Sequence, residues 1–340
     1  MKTVDVHAHV IPPALVDAMY AGRAPDGITI ADDAGSPWVV HRQGYRYPLL
    51  AEFHDVQVRL QTMDAAGIDT AVLSVAPPMF LYWIEAAAAV DAARTVNNAI
   101  AAMVARAPDR FTGLATLPLQ DPAASVAELR RCVSEHGFRG AEVGPHAEGV
   151  PLDDESLRPV LAAAEELSVP LLVHPYYVGA TTGPLSDYYL TNLQGNPWQT
   201  AVCVSRLIFS GALDALPGLD LVLVHGGGHL PYQIGRLDHG HRVRPEAGGC
   251  THLPSEYLRR FHFDTITHSP AALRFLIDQV GADRVVVGTD MPFDMGAGGL
   301  DEQLAGLQLS ADELEAIGHR NAERLFRMGD GSGRGLGRAR

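Results

Sequence analysis

Apolar residues along this chain recur in short, β-rich runs that alternate with longer stretches of helical periodicity. The runs predict strands at about residues 3–8, 69–75, 111–117, 138–143, 169–174, 219–225, 260–265 and 284–289. Between them the pattern predicts helices over 84–107, 122–136, 153–167, 198–215 and 269–280, several opened by Asp, Ser or Pro and closed near Gly or Pro. A last helix, over 310–326, begins after Ser310. Strand and helix in steady alternation imply a parallel sheet, and eight such units imply an α/β fold of the (β/α)8 TIM-barrel type.

Two stretches break the alternation. Residues 14–50 hold turn residues and the pattern WVVHRQGYRYPLL, which predicts a small hairpin inserted after strand one, placed as a lid would be. The tail at 328–340 is dominated by Gly and Arg and predicts no packed element. Everything before it, 1–327, reads as a single domain, because barrels of this kind reach 340 residues without dividing.

Composition narrows the function. The formal charge of −14 disfavours nucleic acid and anionic membrane surfaces, both of which attract clustered positive charge. No run of apolar residues is long enough to cross a membrane, and MKTVDVHAHVIPP lacks the apolar core of a signal peptide, so a cytoplasmic protein is expected. The three cysteines are scattered, as suits reduced thiols rather than disulfides or a thiolate metal site. Lys2 is the only lysine, and it precedes the first strand, which removes Schiff-base, phosphate-loop and carboxylated-lysine chemistries.

What remains is histidine and carboxylate chemistry at strand ends. In VDVHAHV, strand alternation predicts that Asp5, His7 and His9 share one face, with Val4, Val6, Ala8 and Val10 turned towards the helices. His174 closes LLVH, His225 closes LVLVH, and Asp290 closes VVVGTD. Taken singly, each has a plain structural reading as a packed histidine or a turn cap. Together they fall at the C-terminal ends of strands, which converge on one mouth in a barrel and carry its active sites. Three neutral imidazoles and a carboxylate suit one zinc ion or a similar first-row metal, with a position left for water. His7, His9, His174 and Asp290 fill that shell, which leaves His225 free to exchange a proton with the metal-bound water. Gly226 to Gly228 would let the backbone pass close to a ligand, and His229 and His268 could also belong to the mouth.

The motifs VDVHAHVIP, LQTMDAAGID, HPYY, HGGGHLPYQIGRLD and VGADRVVVGTDMPF span nearly the whole chain. They resemble the amidohydrolase-2 branch of the amidohydrolase superfamily, which includes the aminocarboxymuconate-semialdehyde decarboxylases. The resemblance implies one Zn2+ on His7, His9, His174 and Asp290, with His225 activating its water in a homodimeric barrel. It also implies two arginines that grip a carboxylate: Arg46 in the hairpin, and Arg236 in GRLD, reaching across the dimer. The segment SDYYLTNLQGNPWQT departs from the namesake's pocket, which leaves the substrate open. The His-x-His pair differs from the Glu-x-His of resorcylate-type decarboxylases and disfavours a manganese-dependent aromatic decarboxylase.

The expected activity is therefore non-oxidative decarboxylation of a small unsaturated or aromatic carboxylic acid. The first alternative is a hydrolase that turns the same metal-bound hydroxide on an ester, lactone or amide, and the second is a non-catalytic metal-binding protein.

Overall fold

Val4–Val10 begins a ladder of parallel strands that follows the chain around a closed ring. It pairs with Thr70–Val75, which pairs with Phe111–Gly113. That third strand breaks at Leu114, whose N–H donates back to Leu73, and resumes as Ala115–Thr116 beside Ala141–Val143. The ladder continues through Leu171–Val173, Leu221–Leu223 and Phe261–Asp264 to Val285–Val286. Bridges from Asp5 to Val287 and from Ala8 to Met291 return it to the first strand, with Val6 N–H donating to the Val287 carbonyl at 2.9 Å. This computed structural model describes residues 1–44, 46–176 and 183–328, so the tail from residue 329 lies outside the described residues.

Helices between the strands start where side chains can satisfy their free N–H groups. Asp55 caps Val56–Ala65, Glu85 caps Ala86–Arg106, Asp121 caps Pro122–His136 and Ser269 caps Pro270–Val280. The long helix expected over 198–215 is divided into Asn196–Phe209 and Ala212–Ala215 at Gly211, whose φ of 71° is left-handed. The last helix is interrupted in the same way, with a wider turn at Ala316–Arg320 between Ala311–Glu315 and Asn321–Leu325. Among the described residues no helix is long and apolar enough to cross a membrane.

Two apolar clusters hold the ring. The larger lies between strands and helices, and the smaller fills the floor of the ring with Val4, Val6, Val72, Leu172, Val222 and Val286, stoppered by Leu325 and Phe326. Each such side chain contributes about 1.5–3 kcal/mol on burial.

The floor cluster corrects the alternation expected for the first strand. Its register shifts between Asp5 and Ala8, a bulge that reverses which face a side chain takes. Val4 and Val6 therefore point into the ring, Ala8 and Val10 join the outer cluster, and Asp5 is separated from the two histidines. Its carboxylate accepts from Thr289 Oγ1 at 2.6 Å and from the N–H groups of His7 and Thr289, each at 3.1 Å. Burial pushes the Asp5 carboxyl up to about 6 despite those bonds.

Where one hairpin was expected, three antiparallel strands follow the helix Pro13–Tyr20: Thr29–Asp33, Ser36–Val40 and Arg46–Pro48. Tyr47 of this sheet packs edge-on against Phe293, which in turn packs against His9, ring centroids 5.7 and 5.4 Å apart.

Candidate metal centre and its cavity

Past the bulge, strand alternation keeps His7 and His9 on one side, turned into the ring, with their Nε2 atoms 3.0 Å apart. His174 leaves the end of the fifth strand and packs edge-on against both, with centroids at 4.9 and 5.0 Å. Asp290 follows the eighth strand and places Oδ1 at 3.0 Å from His9 Nε2 and 3.5 Å from His7 Nε2. One ligand atom from each of the four lies within 4.8 Å of the others, and all four residues are buried.

Outer contacts fix which nitrogen of each ring faces the cluster. His7 Nδ1 lies 2.8 Å from Asp264 Oδ2, and Asp264 Oδ1 accepts from Gly226 N–H at 2.8 Å and Ile266 N–H at 3.1 Å. His174 Nδ1 bonds the Pro175 carbonyl, and His9 Nδ1 lies 3.3 Å from Ser74 Oγ. With Nδ1 donating, the Nε2 lone pairs of His7 and His9 face each other, an arrangement that repels unless a cation or proton stands between them. His174 Nε2 is buried without a hydrogen-bond partner, which a core tolerates poorly. Ligand-type atoms left bare, facing inwards and anchored from behind, are what a divalent ion of the zinc type requires, so these residues fit one.

The electrostatics agree. Burial pulls His174 well below the ordinary imidazole range, with the charges of His7, His9 and His225 adding to it. Burial likewise brings His9 down to about 4. For His7 burial also acts downwards but is outweighed by Asp290 and Asp264, and it is held above the ordinary range. Burial acts upwards on Asp290, yet His7, His225 and His9 hold its carboxyl well below the carboxylate range. His9 and His174 are thus held neutral beside an ionised carboxylate, the states that bind metal, whereas His7 has to release its proton for an ion to bind.

His225 stands beside this group rather than within it. Its Nε2 is 3.5 Å from Asp290 Oδ2, its ring is partly exposed, and its Nδ1 has no hydrogen-bond partner. Its φ of 55° and that of Asp290, 58°, both lie in the left-handed region, a strain of about 1–3 kcal/mol each that aims two side chains at one point. Of the three glycines after it, Gly226 and Gly228 line the cavity described below, and all three are also required by packing. Built side chains at Gly226, Gly227 and Gly228 would meet Thr267, Phe263 and the Pro197 carbonyl at 2.8, 2.7 and 2.2 Å.

Both His225 and Asp290 open onto a cavity of about 550 Å³. Leu193, Ile266, Phe275 and Leu276 form apolar walls, and Asn192, Asn196, Thr267, His229 and His268 add polar groups. Neither arginine singled out in the sequence lines it. Arg46 pairs with Asp33 and lies over the Trp38 ring at 4.5 Å from its centroid. Arg236 is exposed on Leu230–Val243, and Asp238, its nearest acidic neighbour in sequence, instead accepts from Ser255 N–H at 2.8 Å.

Three participants escaped the sequence reading: Ser74 and Asp264, described above, and Glu142, fully buried on Ala141–Val143. Asp264 carries the signal already used for Asp290, a carboxylate closing a strand. Glu142 and Ser74 lie inside their strands, where only the alternation of AEV and LSV marks them as turned into the ring.

Comparison with known proteins follows the same lines. Residues 4–328 match the family described as Amidohydrolase. The chain is 38% identical over 245 residues to the 2-amino-3-carboxymuconate-6-semialdehyde decarboxylase of Dictyostelium discoideum, covering 71% of this chain and 68% of that protein. It is 36% identical over 302 residues to the gamma-resorcylate decarboxylase of Rhizobium radiobacter, covering 81% and 88%. A solved structure of dihydroxybenzoic acid decarboxylase from Polaromonas sp. JS666, with bound manganese and the inhibitor 2-nitroresorcinol, superposes with a TM-score of 0.75 at 28% identity, covering 96% of this chain and 97% of the other. Relatives of the aromatic type thus stand beside the muconate type. The chain belongs to the amidohydrolase family.

Proposed function

We propose that this chain is a metal-dependent, non-oxidative decarboxylase of a small unsaturated or aromatic carboxylic acid, built as a (β/α)8 barrel with the sheet at 29–48 as an insertion. The observation that carries the reading is the approach of His7 Nε2 to His9 Nε2 at 3.0 Å, beside the bare Nε2 of His174 and the Asp290 carboxylate, at the edge of a substrate-sized cavity. Relatives that decarboxylate muconate-type and resorcylate-type acids support the reaction class.

His7, His9, His174 and Asp290 hold one divalent ion per chain in this reading. Zinc is assigned from the histidine-rich donor set, and manganese in the Polaromonas enzyme marks the competing first-row ion. The ion supplies positive charge that binds anionic oxygen and stabilises charge developing during reaction. Walls such as Phe275 and Leu276 hold the flat body of the acid and exclude water, and Asn192, Asn196 and Thr267 offer it hydrogen bonds. His225 delivers the proton that replaces carbon dioxide at carbon, from a ring that faces the cavity and keeps Nδ1 free.

Arg46 and Arg236 take the carboxylate contacts that the family resemblance gives them. Arg46 exchanges Asp33 for the substrate, and Arg236 reaches the cavity of a second copy in a homodimer. Replacing Arg236 by Ala then raises KM for an acidic substrate with little change in kcat. A reducing, cytoplasmic setting belongs to the same reading, since Cys132, Cys203 and Cys250 are all free and buried.

Elemental analysis of the purified chain, paired with carbon dioxide release from muconate-like and hydroxybenzoic acids, tests the proposal. About one metal ion per chain with carbon dioxide release supports it. Metal with ester or lactone cleavage and no carbon dioxide makes the chain a hydrolase, and absence of bound metal refutes the reading.

A further inference from the structure

Glu142 sits where a fold has no use for a carboxylate. Its neighbours on the strand, Ala141 and Val143, pack into the outer core, so Glu142 turns into the ring. There it is completely buried, and no well-formed hydrogen bond reaches either carboxylate oxygen, though the Ser74 hydroxyl lies beside it. A leucine or methionine would fill the same space beside apolar Val72 and Leu172 without the penalty of a buried, unpaired acid.

The ionisable group closest to it among the described residues is a candidate ligand. Glu142 Oε1 lies 3.7 Å from His9 Nδ1, on the opposite edge of the ring from the Nε2 that faces His7 and Asp290. That separation is too long for a hydrogen bond, yet in a dry interior it places the carboxyl close enough to act on any positive charge the ring receives from a bound ion. His7 is backed in the same manner by Asp264. Each imidazole of the His-x-His pair thus has a carboxylate behind its outer nitrogen, one hydrogen-bonded and one at longer range.

We infer that Glu142 is a positioning residue for the metal, acting through His9 to fix its ring with Nε2 towards the ion and to offset part of the ion's charge. The inference rests on the metal centre proposed above. It explains why the fold keeps a group that weakens it: the acid is compensated only when positive charge arrives on the far side of the ring.

Two variants, Glu142→Gln and Glu142→Asp, test this by chelator competition for bound zinc and by thermal unfolding of the metal-free proteins. E142Q keeps the shape and removes the charge, so zinc affinity falls by about 10–100-fold. Its metal-free form melts no lower than wild type, because a neutral amide replaces a buried acid. E142D keeps the charge and recovers part of the affinity. The opposite sign of the two E142Q effects is what a packing role would not produce. Wild-type affinity in E142Q overturns the inference, as does E142D binding no better than E142Q. So does an E142Q chain that fails to fold, or that loses stability in step with affinity. A wild-type chain that binds no zinc or manganese overturns the metal centre itself, whereas wild-type binding with an indifferent E142Q overturns this inference alone.

Discussion

His7 and His9 point their Nε2 atoms at each other across 3.0 Å, with His7 held from behind by Asp264. A bound cation turns this repulsion into attraction, so metal and stability are linked. Chelation should lower the unfolding free energy by about 3 kcal/mol where the ion was present at about a hundred times its Kd. Replacing His174 by Ala or Asp290 by Asn should leave purified protein with well under the wild-type metal content, read by elemental analysis.

His225 should behave differently. As a neighbour of the four-residue group rather than a member, its replacement by Ala is expected to preserve metal content and reduce kcat by roughly 10²–10⁴-fold. Loss of metal in that variant would make His225 a ligand.

Acid should unfold the chain partly through His262. Burial, reinforced by Arg284 and Arg324, brings this imidazole down to about 4 from an ordinary 6.5, and both ring nitrogens lack partners. The unfolded chain therefore takes up a proton that the folded one refuses. Stability is unaffected above about pH 6.5 and falls as pH drops towards 4, by about 3 kcal/mol in full. A His262→Leu variant should show a flatter stability profile between pH 6.5 and 4 in denaturant titrations. An unchanged slope would assign the acid sensitivity elsewhere.

Gly228→Ala should be among the most damaging single substitutions. Its φ is 63°, and a β-carbon would stand 2.2 Å from the Pro197 carbonyl oxygen, so either the loop carrying His225 or the start of Asn196–Phe209 must move. A loss of at least about 3 kcal/mol is expected in denaturant unfolding. A stable variant with normal turnover would show that this loop can shift freely.

Much of this arrangement was legible in the sequence because strands keep a strict period of two and end where turn residues begin. His174, His225 and Asp290 close apolar runs, and the structure brings them together with His7 and His9. Asp5 was misplaced for a physical reason: a bulge costs one residue of register and leaves no mark in composition, so alternation carried through it puts Asp5 with the histidines and Val4 and Val6 outside. The break at Leu114 depends on its bond to a neighbouring strand rather than on local pattern, whereas the helix divides at Gly211, a glycine whose left-handed turn the helical periodicity ran past. Glu142 was missed because an acid flanked by small and apolar residues gives no sign of being buried until neighbouring strands close around it.

The seam between the first and last strands has a consequence for how the protein matures. His9 N–H donates to the Met291 carbonyl at 2.8 Å, Asp290 N–H donates to the His7 carbonyl at 2.8 Å, and buried Arg59 reaches the carbonyls of both His9 and Met291. The two halves of the ion's nest are thus made at nearly opposite times during synthesis and meet only when the ring shuts. A nascent chain stalled before residue 285 carries His7, His9 and His174 but not Asp290, so capture of an ion at the proposed centre would report that synthesis has passed the last strand and that the circle has closed.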